Sequence, residues 1–268
     1  MAIITKITTQ KNNADRFNIF MDKGKGEEFA FSVDSDVLIK FQLKKGMELD
    51  EFSLLEIQYQ DDIRKAYNLA VHFLARRIRS EKEIKDYLLK KEMEEPVINE
   101  VLHKLTEQKY INDEEYAFAY VRTQANTTDK GPGVIRQELK EKGIAEKICS
   151  LALEEYSFEQ QIEKAMKLSQ KFFNKNSKDS YRIQKQKFEQ MLLRKGYSFE
   201  VIQLALRETE DSNKDEEFEA IRYQGEKIQR KYSGYSGFEY EQKVKQALYR
   251  KGFPIELIER YLSESKES

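Results

Sequence analysis

The side chains suited to proton transfer, nucleophilic attack or metal binding are few and scattered. His72 and His103 are the two histidines, and Cys149 is the one cysteine. A zinc or haem site needs several such ligands converging, and neither histidine has a cysteine nearby, so a packed or solvated role fits both better. Cys149 stands where the chain elsewhere places Ile98, Ile202 and Ile258, which makes it a small core residue and not a nucleophile. The run Asn112-Asp113-Glu114-Glu115 lacks the alternating ligands and central glycine of a calcium loop. Gly24-Lys25-Gly26 is too short to cradle a phosphate and reads as a hairpin turn. No catalytic residue, metal ligand or cofactor is expected, and the chain reads as a non-enzyme.

What remains is surface chemistry. Lys171, Lys175, Lys178, Arg182, Lys185 and Lys187 lie close together in sequence, with Phe172, Phe173 and Tyr181 among them. Arg230, Lys231, Tyr232 and Tyr235 repeat the mixture further on. Lysine and arginine neutralise phosphates, and exposed aromatic rings stack on the bases of a single strand. The alternative is that the phenylalanines are core and the charges only solvate. The formal net charge is −1, but residues 83–115 carry five lysines against ten acids, whereas residues 163–195 carry ten cations against three acids. The positive field therefore belongs to the C-terminal half, and contact with nucleic acid or a nucleoprotein is the chemistry it suits.

These residues are positioned by a repeat. A short box reads Leu88-Leu89-Lys90-Lys91-Glu92-Met93, Leu139-Lys140-Glu141-Lys142-Gly143-Ile144, Leu192-Leu193-Arg194-Lys195-Gly196-Tyr197 and Leu248-Tyr249-Arg250-Lys251-Gly252-Phe253. With Glu92, Gly143, Gly196 and Gly252 as a common origin, the intervals grow from 51 to 53 to 56 residues. Eight and four residues before the origin, and five and ten after it, all sixteen positions are apolar, from Ile84 and Leu88 in the first copy to Leu257 and Leu262 in the last. A glycine just past a helix takes the left-handed conformation at little cost, and an apolar residue after it folds back on the helix, so each box is a helix stop and a turn. Glu92 departs from the glycine pattern and implies a differently built first turn.

Each repeat reads as three helices. In the first, Ala66, Leu69, Ala70 and Phe73 share one helical face, Ser80-Glu81-Lys82-Glu83 is a capping box, and Pro96 opens a third helix. Ser236-Gly237-Phe238-Glu239 repeats the capping-box pattern in the fourth. Before the repeats, Phe17, Ile19 and Met21 alternate with polar neighbours, as do Phe29, Phe31 and Val33 across Asp22-Lys23-Gly24-Lys25-Gly26, which predicts a hairpin that Ile3 to Thr8 could join. A short helix capped by Asp34 or Ser35 should end at Lys45-Gly46, while residues 47–60 leave strand and helix open. The expected architecture is mainly α: an elongated tandem array of four three-helix, helix-turn-helix-like repeats with a small N-terminal αβ cap. The expected divisions are 1–60 for the cap and 61–110, 111–160, 161–212 and 213–268 for the repeats, with residues 209–216 as a possible hinge. Base reading by the third helices is disfavoured by acids such as Glu256 and Glu259. The most apolar stretch, Tyr67 to Ala75, is too short to span a membrane. A single cysteine and the absence of a basic-then-apolar leader over Met1 to Gln10 suit a cytoplasmic protein.

Ala66-Tyr67-Asn68-Leu69-Ala70, the run Leu74-Ala75-Arg76-Arg77-Ile78-Arg79-Ser80, the Leu-x-x-Lys-Gly boxes and Tyr110-Ile111-Asn112-Asp113-Glu114-Glu115-Tyr116-Ala117 together resemble the RecX family. Phe31-Ser32-Val33-Asp34-Ser35-Asp36-Val37-Leu38 is similar to the extension of its longer, Gram-positive-type members. The resemblance implies a regulator of the RecA recombinase, lodged in the groove of RecA filaments on single-stranded DNA and weakening ATP hydrolysis, strand exchange and the coprotease activity behind the SOS response. It adds Arg76 and Arg77 to the candidate contacts; a monomer with no membrane partner is expected. An independent single-stranded DNA-binding protein that competes for the strand stands beside it.

Overall fold

The computed structural model describes residues 2–175, 178–207 and 214–267, so most of the expected hinge lies outside the described residues. Two compact units emerge, Met1–Tyr116 with Lys142–Ile144, and Ala117–Glu141 with Ala145–Ser268. The first begins with β1 (Ala2–Gln10), β2 (Asn13–Asp22), β3 (Glu27–Asp34), a short helix α1 (Ser35–Lys40) and the two-residue β4 (Glu48–Leu49). The strands form one sheet in the order β3-β2-β1-β4, antiparallel at each pairing. The period of two selects the core face: Ile4, Ile19, Met21 and Val33 are buried. Asp22 closes the hairpin by accepting from the N–H groups of Gly24 and Gly26 at 2.7 and 3.0 Å.

One expectation for this region changes, and one open stretch resolves. Asp34 does cap α1, accepting from Asp36 N at 3.1 Å, but the helix stops at Gln42, whose φ is +50°, and not at Lys45-Gly46. Leu43 N–H returns to Leu38 O at 3.0 Å and buries the Leu43 side chain, while Gly46 N–H goes to Ile4 O at 2.7 Å. Residues 47–60 resolve as β4 followed by the first part of a 24-residue helix, α2 (Glu51–Leu74). Its Ile57 packs in the sheet core, and its Ile63, Ala66 and Ala70 pack in the core of the first repeat. Residue 60 therefore falls inside one continuous helix. Buried Asp61 ties it to the sheet, accepting from Arg16 Nη2 at 2.9 Å and from Asp34 N at 2.7 Å.

The other helices follow in threes: α3 (Glu81–Leu89) and α4 (Glu95–Glu107) complete the first repeat with α2; α5 (Asp113–Thr127), α6 (Pro132–Glu141) and α7 (Glu146–Leu153) form the second; α8 (Phe158–Lys175), α9 (Tyr181–Arg194) and α10 (Phe199–Arg207) the third; α11 (Lys214–Lys231), α12 (Gly237–Arg250) and α13 (Ile255–Glu267) the fourth. The chain is mainly helical, with three-helix repeats after a small N-terminal sheet. Of the sixteen aligned apolar positions only Ile148 and Leu257 are half-exposed, which fixes the register of the repeat on packing grounds. Cys149 is buried in that same core.

Several helix-ending turns among the described residues share one hydrogen-bond pattern, in which a residue just past the helix reaches back five positions and the residue before it reaches back three. They include the turns ending at Leu43, Met93, Tyr110, Tyr197 and Phe253, and the left-handed residue before each is Gln42, Glu92, Lys109, Gly196 and Gly252. The first-repeat turn is thus built like the others, with Glu92 at φ +60°. What distinguishes the glycines is their neighbours. A Cβ on Gly196 would lie 2.4 Å from Val134 N, and one on Gly252 2.7 Å from Ser180 Oγ. Gly143, also left-handed, would meet Lys82 Cβ at 2.7 Å.

The same contact recurs at each of these places: the start of one repeat's second helix docks on the next repeat's turn. In the first unit Ser80 Oγ donates to Lys142 O at 2.8 Å, and in the second unit Ser180 Oγ donates to Lys251 O at 2.6 Å. Between them in sequence, Gly131 and Gly133 offer main-chain N–H groups to Lys195 O and Gly196 O, at 2.7 and 2.9 Å. Both serines also cap their own helices by accepting from Glu83 N and Ile183 N.

Candidate partner-binding surface

The basic segment of the third repeat occupies the end of α8 and the start of α9. Lys171 and Lys175 are exposed on the last turns of α8, where the helix dipole favours cations. Arg182 is exposed on the first turn of α9. None of the three forms an ion pair among the described residues. Lys185 is half-buried, and Lys187 is held by Asp179 at 2.7 Å. Lys178, between the helices, reaches over the Tyr223 ring at 4.9 Å.

Tyr223 was not legible as a site residue. It sits on α11 with Lys227 one turn further on, and the Lys227 ammonium stands 4.0 Å from its ring and 2.8 Å from its phenol oxygen. Gln224 fixes the opposing loop by donating to Lys178 O at 2.7 Å. The hydrogen bond from Lys227 and the nearby Lys178 charge hold the Tyr223 phenol below its ordinary pKa. The outcome is an exposed ring with two ammonium groups over it, a cluster whose charges suit phosphates. The Tyr223–Lys227 spacing was visible in sequence; the approach of Lys178, 45 positions away, was not.

The aromatics of the third-repeat segment belong to the core, whereas Tyr235 in the fourth is exposed. Phe173 is buried, and Phe172 and Tyr181 pack against the same core, with Phe172 and Phe173 rings 5.4 and 5.6 Å from Phe188. An amphipathic helix must bury one stripe, and here the phenylalanines are that stripe. In the fourth repeat Arg230 lies 3.8 Å from Glu226 and Lys231 over Tyr232 at 5.6 Å, both exposed.

Arg76 is exposed, whereas Arg77 is committed to local structure. Its guanidinium donates to Glu83 Oε1 at 2.6 Å and to Ile78 O at 3.1 Å. Arg79 lies over the Phe73 ring at 4.0 Å. Glu83 completes the capping box by accepting from Ser80 N. Burial pushes its carboxyl up, but Arg77, the Ser80 N–H and the Lys142 charge together carry it below its ordinary value. The same pocket pushes the Tyr116 phenol to about 12, through burial and then the Glu83 charge.

Among the described residues no group of three or more His, Cys, Asp or Glu is placed to hold a metal. His103 pairs with Glu107 at 3.3 Å in the open, and burial pushes the Cys149 thiol up. Nor is any described helix long and apolar enough to cross a membrane.

Family models match nearly the whole chain. Regulatory protein RecX N-terminal domain matches residues 2–50; the RecX first three-helix domain matches 66–105, the second 112–153, and the third both 159–206 and 215–262. This chain belongs to the RecX family. A regulatory protein RecX from Geobacillus sp. (strain WCH70) is 50% identical over 267 residues, covering 100% of this chain and 98% of that protein. One from Bacillus cereus (strain B4264) is 48% identical over 268 residues, covering 100% and 99%. A crystal structure of regulatory protein RecX superposes with a TM-score of 0.67 at 39% identity, covering 77% of this chain and all of that one. RecX from Lactobacillus salivarius gives 0.54 at 42% identity, over 56% of this chain and 97% of that one. The double match of the third RecX three-helix domain accounts for the fourth repeat as a second copy of the third type.

Proposed function

We propose that this chain is a cytoplasmic, monomeric regulator of the RecA recombinase that binds RecA filaments on single-stranded DNA and restrains their ATPase, strand-exchange and coprotease activities. The observation that carries the reading is a RecX-family chain whose exposed cations Lys171, Lys175 and Arg182, without an ion pair among the described residues, stand in the same repeat as Lys178 of the Tyr223 cluster. A polymer of DNA and protein presents the phosphates that such a face would neutralise. Arg76, Lys185, Lys187, Arg230 and Lys231 are secondary contacts in this reading, Arg77 a supporting residue, and the repeats at 61–110, 111–160, 161–212 and 213–268 its units. The test is filament binding by wild type and by a variant with Lys175, Lys178 and Arg182 reversed to Glu. Tight wild-type binding that drops at least tenfold in the variant supports the reading, and equal binding refutes it.

A second reading, direct competition for the strand, draws on the Lys178–Tyr223–Lys227 cluster. It requires tight binding to bare DNA that falls steeply as salt rises. Binding to the filament that outlasts binding to bare DNA in the same salt series excludes it.

A further inference from the structure

In three repeats the start of the second helix is covered by the next repeat's turn, and in the fourth it is bare. Ser80 and Ser180 are 0% and 1% exposed, each donating its hydroxyl to a lysine carbonyl. Ser236 stands at the same place, sixteen residues before Gly252 as Ser180 is before Gly196. It is exposed and makes no cap hydrogen bond, so the expected capping box does not form there. Gly237 beside it is left-handed at φ +56°, with nothing within 4 Å of where a Cβ would be. Phe238 aligns with Arg182, whose Cβ is 3.4 Å from a Cβ built on Gly252. Where the covered repeat lays an arginine stem over the incoming glycine, the fourth repeat holds out a phenylalanine that is 78% exposed. Ordinary end-capping of a repeat protein would place polar residues there.

We infer that Ser236, Gly237 and Phe238 form a docking surface for a helix-ending glycine turn on a subunit of the recombinase filament; this rests on the filament reading above. The occupant follows from the covered copies, each of which holds a helix-ending turn whose lysine carbonyl accepts from the docking helix and whose glycine is left-handed. Gly143, Gly196 and Gly252 admit that approach because a Cβ would collide with the docking helix. Among the described residues of this chain, the left-handed glycines that end helices, Gly143, Gly196 and Gly252, are already covered, so a second copy has no such turn free. The Ser236 hydroxyl would donate to the partner's carbonyl, and Phe238 would cover its glycine.

The test uses the full chain and RecA filaments assembled on poly(dT) with a non-hydrolysable nucleotide. Phe238→Asp and Ser236→Ala should each weaken filament binding, the first by at least tenfold, with unchanged thermal transitions. Phe52→Asp, which alters a similarly exposed ring in α2, should bind like wild type. A photo-reactive p-benzoylphenylalanine in place of Phe238 should cross-link to a filament subunit within a helix-ending glycine turn. Wild-type binding by both variants at the Ser236–Phe238 surface overturns the inference while leaving the filament reading intact. So does a cross-link to a second copy of this chain, to DNA or to another surface of the subunit. Failure of the wild-type chain to bind filaments overturns both.

Discussion

Glu92 and Gly196 occupy equivalent places and show what the glycine is for. Left-handed backbone alone does not demand it, since Gln42, Glu92 and Lys109 all reach φ of +50° to +60°. The demand comes from Val134 N, 2.4 Å from the absent Cβ. Gly196→Ala should therefore cost more than the roughly 1 kcal/mol of the backbone term. A chemical-denaturation shift no larger than that would show that the junction yields. Glu92→Gly meets no such neighbour and should change stability by less than about 1 kcal/mol, read in the same assay. The box motif was legible in sequence as a turn, but its steric reason was not, because Val134 lies 62 positions away. Glu83 gives a pH dependence. Its folded pKa is depressed, so its contribution is present above the ordinary glutamate value of 4.5 and is lost as pH falls through the lower folded one. Glu83→Gln should flatten the acid limb of the stability curve below that value. It should also cost about 1 kcal/mol near neutrality through the weakened capping box. An unchanged acid limb would remove Glu83 from that role.

At the scale of elements, helices with a strong apolar stripe declared themselves: α3, α4, α6, α9 and α12 lie where Ile84, Leu102, Ile135, Phe188 and Val244 predicted. The second half of α2 declared itself too, through Ala66, Leu69, Ala70 and Phe73, but its first half did not, because it packs in the sheet core instead of the repeat's. The polar bond that holds it to the sheet was equally invisible, since Arg16 and Asp61 are 45 positions apart. Asp61→Ala leaves Arg16 half-buried without its partner and should destabilise the first unit by about 3 kcal/mol. Urea unfolding followed by circular dichroism measures this, and a loss under about 1 kcal/mol would mean that Lys65 and solvent replace the pair. The basic segment was legible as charge, yet which aromatics accompany it was not. Periodicity assigns a phenylalanine to a helix face but does not say which face another helix will cover, so Phe172 and Phe173 went to the core, and the exposed ring beside Lys178 is Tyr223.

For the whole molecule, the family was legible in residues 66–70 and 74–80 and in the Leu-x-x-Lys-Gly motifs, and the RecX matches bear it out. The scattered histidines, the buried cysteine and the uneven charge point to surface binding, and the RecX match makes that surface a regulator's. A three-helix repeat that joins to the next through one standard contact can be copied without redesigning its core, which explains why the third RecX three-helix domain occurs twice here. Action on a filament is the central claim. It is tested most directly by RecA ATPase on saturating single-stranded DNA with this chain added well below the RecA concentration. The proposed regulator suppresses hydrolysis at substoichiometric ratios while most of the DNA remains free of it. Inhibition that begins only when the chain is abundant enough to coat the strand would contradict it.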